Sequence, residues 1–149
     1  MSTKTLPAPP VARPERTAPA LVAAAAAAPV VLEAWTDGTA ALTVRVQHGA
    51  LHTTLVRVEG EVDLAGATQL ERVLLPLVQH GAVVLEAAGI TLLDSHGLRV
   101  LLAADRVSRV HGGSFRIAAL SPALRQVLDV TLISERLEFF DRLDDALKA

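Results

Sequence analysis

The sequence predicts an α/β domain: a mixed, largely parallel sheet of about four to five strands, flanked by helices and begun by an N-terminal β-hairpin. Three observations predict it. Apolar and polar residues alternate across "ALTVRVQHGALHTTLVRVEGEVD", as in two half-buried antiparallel strands around a His48-Gly49 turn. Valine-rich runs of strand length recur beyond it, and between them apolar residues return at helical spacing. With 51% hydrophobic residues in 149, the chain can bury a core. Because only 3% are aromatic, that core must be built from Leu, Val, Ile and Ala.

Residues 1–38 carry repeated prolines and a run of six alanines, and predict a disordered Ala/Pro-rich arm, since proline removes donors and alanine buries little area. The domain is expected over 39–149. Lys4, Arg13 and Arg16 ahead of the apolar run Leu21 to Leu32 raise a secretory-signal reading. Against it, Pro29 interrupts the run and no clean small-residue cleavage site follows. The run is also far shorter than the roughly 20 residues a bilayer asks for.

After the hairpin, Ala67, Leu70, Val73, Leu74, Leu77 and Val78 mark a helix that Gly81 stops. The run "AVVLEA" reads as a strand buried on both faces. A second apolar run, Ile90 to Leu93, leads into "DSHG", and a helix from about Gly97 to Val110 ends at Gly112-Gly113. The next strand is "SFRIAAL". Ser121 as cap and Pro122 at the first helical position then open a helix with Ala123, Leu124, Val127 and Leu128 on one face. "RLEFFDRLDDALKA" closes the chain with a short strand and a short helix.

A formal charge of -2 with mixed signs gives no footprint for nucleic acid or an acidic membrane, and four aromatic residues supply no base-stacking platform. The absence of cysteine rules out disulfides and thiolate metal sites, and suits a reducing cytoplasm. His48, His52, His80, His96 and His111 are scattered, and His48 with His52 fall across a turn and a strand, where i,i+4 spacing does not align them. The glycines form neither a P-loop nor a dinucleotide fingerprint, so neither metal nor cofactor is implied.

Asp94, Ser95 and His96 are the residue types of a hydrolase triad, but chain neighbours point apart and cannot form one. A nucleophile elbow would need a glycine where Leu93 stands, and its partners would have to be His111 with Asp105, Asp129 or Asp141. No catalytic residue is assigned. Two readings of Ser95 stay open on spacing alone. One is a helix N-cap; the other is a phosphate acceptor at a helix start, where an added charge of about -1.5 to -2 is tolerated by the helix and alters what the surface binds.

From about Ala41 to Leu147 the sequence resembles the STAS domain of bacterial anti-sigma factor antagonists. The resemblance rests on "VEGEVDLAGATQL", similar to the family's "GELD" turn, and on "GITLLDSHGLRVLL", similar to its "D-S-[ST]-G-L" segment. "FRIAALSPALRQVLDVT" and "FFDRLDDAL" follow in the family's order. It implies a single STAS-like domain that binds a serine-kinase anti-sigma factor in a partner-switching mechanism, and is turned off when Ser95 is phosphorylated. Partner contacts are implied at Asp63, Asp94, Ser95, His96, Gly97, Arg99 and Arg106, with no cofactor. This chain departs from the family at His96, where a second Ser or Thr is usual, at Arg99, where a small residue is common, and in "DVTLISERLEFF", which lacks the glycine commonly found after the threonine. The alternatives are a STAS scaffold or ligand-sensing module that is not phosphorylated, and a small serine hydrolase.

Overall fold

The computed structural model describes residues 30–36 and 39–149, with side chains described from residue 42. Strands β1 (Val30–Thr36), β2 (Thr39–His48), β3 (Thr53–Val62), β4 (Ala82–Leu93), β5 (Ser114–Ala118) and β6 (Glu138–Phe140) form one sheet in sequence order. Pairing is antiparallel from β1 to β3 and parallel from β3 to β6. Helices α1 (Leu64–Val78), α2 (Ser95–Val110) and α3 (Pro122–Val130) make the crossovers, and α4 (Leu143–Lys148) ends the chain. Each follows a segment whose apolar spacing switches from two to helical.

The mixed α/β class and the hairpin are as the sequence predicts, but six strands replace the four to five expected. The additional strand is β1, which pairs with β2 inside the span assigned to the arm. Its sequence "VVLEAWT" is rich in β-branched and aromatic residues, a strand composition hidden by the Ala/Pro run before it. The remainder of the expected arm lies outside the described residues.

Alternation along the strands separates two faces. Val56 and Val58 of β3, Val83, Leu85 and Ala87 of β4, and Phe115 and Ile117 of β5 point into the main core. There they meet Leu70 and Leu74 of α1, Leu101 and Ala104 of α2, and Leu124 and Leu128 of α3. Leu55, Val84 and Ala118 point the other way and are covered by Leu143 and Ala146 of α4. Val83, Val84 and Leu85 are all about fully buried, at 1%, 0% and 0%, as a strand covered on both faces requires. Toward β2 the second face is polar: Arg57 pairs with Glu86, and Arg45 with Glu59 at 3.5 Å. Among the described residues, no helix is long and apolar enough to cross a membrane.

Candidate functional site

The main core holds β3 and β4 in register so that Val62 and Leu93 are paired at their C-terminal ends. Immediately beyond them stand Asp63 and Asp94, both in extended conformation and both capping the helix that follows. Oδ1 of Asp63 accepts from the Gly66 N–H at 3.0 Å. Oδ1 of Asp94 accepts from the N–H groups of His96 and Gly97 at 2.8 and 3.3 Å. The Asp94 N–H donates to the Val62 carbonyl at 3.3 Å, so the cap of α2 is itself tied to the sheet.

Gly66 and Gly97, each three residues after its cap, allow these tight entries. A Cβ on Gly66 would fall on the Glu61 carbonyl oxygen. On Gly97 it would meet the side chains of Leu93 and Val62. The pattern D-x-x-G therefore occurs twice, as "DLAG" and "DSHG", and builds two matching strand-to-helix turns at one end of the sheet.

The reading of Ser95 as the cap is corrected by this geometry. Asp94 caps α2, and Ser95 is its first helical residue. Because Asp94 remains hydrogen-bonded to the neighbouring strand, it keeps the extended backbone a cap needs, while Ser95 is released into the helix. The Ser95 side chain is exposed, and among the described residues its hydroxyl has no hydrogen-bond partner.

His96 turns its Nδ1 toward Oδ2 of Asp94, at 3.3 Å. Desolvation acts to raise the Asp94 pKa, but the hydrogen bonds from the Gly97 N–H, the His96 side chain and the His96 N–H, with attraction to His96, outweigh it and hold the carboxyl below its ordinary value. The hydrolase geometry is not formed. His111, at the far end of α2, bonds the Val107 carbonyl at 2.9 Å, and Asp105 pairs with Arg109 at 3.0 Å.

Arg99 and Arg106 are exposed on α2. At offsets of four and eleven residues from Ser95 they share its helix face. Asp63, Asp94, Ser95, His96 and Gly97 thus lie together at the β3–β4 end, with Arg99 one turn away and Arg106 farther along. Two exposed apolar residues that the sequence does not single out stand at or next to these turns: Leu64, 61% exposed at the position in α1 that matches Ser95 in α2 and within the Asp63–Gly66 turn, and Leu92, 44% exposed. The repeated D-x-x-G was the signal that could have found Leu64. A groove of about 190 Å³ continues from Ile90 to Leu93 along Ala123, Leu124 and Val127.

At the opposite end, His48, His52 and His80 line one depression, although the sequence scatters them. Among the described residues no group of three His, Asp or Glu is placed to hold a metal ion.

The six-stranded sheet, the crossovers on one face and the exposed capped turn define a small α/β domain that offers a strand-to-helix junction as a surface. The family model described as "Mlab, STAS domain" matches residues 46–138, and the chain belongs to the STAS domain family. The anti-sigma-B factor antagonist of Bacillus subtilis (strain 168) is 29% identical over 84 residues, 56% of this chain and 77% of that protein. The crystal structure of an anti-sigma factor antagonist from Mycobacterium paratuberculosis superposes with a TM-score of 0.64 at 28% identity, covering 72% of this chain and 92% of that one. The Bacillus cell fate determinant SpoIIAA in its phosphorylated form shares the fold, with a TM-score of 0.57 at 16% identity over 70% of this chain and 96% of that one.

Proposed function

We propose that this chain is an anti-sigma factor antagonist: it binds a serine-kinase anti-sigma factor through the Asp63 and Asp94–Gly97 turns and the exposed face of α2, and phosphorylation of Ser95 switches it off. One observation carries the reading. The Ser95 hydroxyl is exposed and uncommitted on a rigid, capped helix start, so it can be esterified without dismantling the turn. Two relatives at 29% and 28% identity are anti-sigma factor antagonists, which supports the choice of partner and a cytoplasmic setting.

In the transfer, Ser95 Oγ attacks the γ-phosphorus of ATP, the bond to the β–γ bridging oxygen breaks, and ADP leaves. The hydroxyl proton passes to a base on the kinase. The product carries about -1.5 to -2 charges beside Asp94, where a packed partner would have to bury them.

The test is phosphate uptake from ATP in the presence of a purified anti-sigma factor serine kinase. One phosphate per chain is expected, with Ser95→Ala taking none and still binding the kinase; full uptake by Ser95→Ala would overturn the assignment. A second reading draws on the description of the matching family model, which names Mlab rather than an anti-sigma factor antagonist. In that reading the domain is an unphosphorylated scaffold, and Ser95→Asp leaves partner binding unchanged.

A further inference from the structure

We propose that Arg99 holds the phosphate that Ser95 receives, so that modification both adds a charge to the docking surface and withdraws a cation from it. This rests on Ser95 as the phosphate acceptor. The helix start offers little of its own to hold the group, because the His96 and Gly97 N–H groups both already donate to Asp94. The His96 ring is turned to the same carboxylate, and adjacent residues on a helix do not face each other.

Arg99 is placed differently. It stands four residues after Ser95 at an exposed position, and helical side chains lean toward the N-terminus, so its guanidinium can reach back over the turn that carries Ser95. An anion followed by a cation at i,i+4 is also the favourable order with respect to the helix dipole. Among the described residues, Arg99 has no carboxylate within ion-pair distance; on the same helix Asp105 is already paired with Arg109. Arg106 shares the face but lies about 16 Å from Ser95 along the axis, beyond reach of a phosphate there. A guanidinium fork can donate twice to phosphate oxygens.

In the unmodified chain Arg99 is therefore available to an acidic group on the partner. In the phosphorylated chain it is occupied from within.

The experiment uses the full chain with phosphoserine encoded at position 95, so it needs no kinase and reads separately from whether any kinase acts. A ³¹P NMR titration follows the second ionisation of the phosphate, ordinarily near pH 6. Arg99 is expected to lower that value by about 0.5 units relative to Arg99→Gln, roughly threefold in proton affinity. Arg99→Lys restores part of the shift, Arg106→Gln leaves it in place, and about 1 M salt reduces it. His96 and Asp94 are present in every variant and cancel. Coincident curves for the native and Arg99→Gln chains, or an equal displacement by Arg106→Gln, would overturn the assignment. Matching circular dichroism spectra confirm that the exposed substitutions leave the fold intact.

Discussion

Asp63 and Asp94 are the same device used twice: each stands one residue beyond a paired strand end, Val62 or Leu93, and each caps the helix it begins. Because β3 and β4 are parallel neighbours, the two caps open two helices side by side at one end of the sheet. The junction is rigid because each turn is secured by backbone hydrogen bonds and neither depends on the residue at the first helical position. That position is occupied by Leu64 in α1 and Ser95 in α2, and both are exposed. Stability at this end of the sheet is set by the caps, and under the proposed function recognition falls to the residues beside them.

The division of labour predicts opposite outcomes for adjacent kinds of residue. Ser95→Ala is expected to change unfolding free energy by no more than about 0.5 kcal/mol, since an exposed, uncommitted hydroxyl is lost. Asp63→Ala removes the acceptor of the Gly66 N–H and should cost about 1 kcal/mol. Urea unfolding of both variants measures the contrast. A loss at Ser95 equal to that at Asp63 would mean that Ser95 shares the capping role.

Gly66→Ala is expected to destabilise although alanine is the better helix former. The added methyl meets the Glu61 carbonyl oxygen, which is backbone and cannot rotate aside. Overpacking of this kind costs about 1–3 kcal/mol, against a propensity gain of at most about 1 kcal/mol. The net loss, read from thermal or urea unfolding, should exceed that of alanine at an exposed position such as Thr68 in the same helix.

Much of this was legible in the sequence because the relevant signals are local. Period-two alternation gave β2 and β3, helical spacing gave α1 and α2, and Ser121 caps α3 by accepting from the Leu124 N–H at 3.2 Å, as its neighbour Pro122 suggests. What escaped depended on contacts distant in sequence. Asp94 and Ser95 are both good caps, and the choice between them is made by a hydrogen bond to Val62 on another strand. The face on which α4 packs follows from the path through β6, which no periodicity encodes. His48, His52 and His80 meet only because the ends of β2 and α1 lie beside one loop.

Acid should weaken the fold in part through Asp94. Its carboxyl is held below the ordinary value in the folded state, so in the acid range the unfolded chain binds more protons, and stability rises with pH there. The contribution is complete above the unfolded pKa, near 4, and is lost as pH falls through the folded value. Asn at position 94 keeps a capping oxygen but does not titrate. Asp94→Asn should therefore flatten the decline of stability in that window and leave its level near neutrality almost unchanged. An unaltered acid limb would show that the hydrogen bonds at this turn do not govern the titration.

The last prediction concerns the backbone at the end of α3. After Thr131, the C-cap of α3, Leu132 takes φ 61° and ψ 15°, the left-handed conformation that usually calls for glycine at this point of a helix end. For a residue with a Cβ this conformation costs about 1–2 kcal/mol. Its side chain is 64% exposed, so little packing compensates. Glycine would remove the strain but give the unfolded chain more freedom, at a cost of about 0.4–1 kcal/mol. The balance favours Leu132→Gly by roughly 0.5–1 kcal/mol, an increase readable as a raised urea midpoint with an unchanged slope. Leu132→Val, which adds β-branching to the same backbone conformation, should move the midpoint the other way. If glycine lowered the midpoint instead, the Leu132 side chain would have to contribute more contact than its exposure allows.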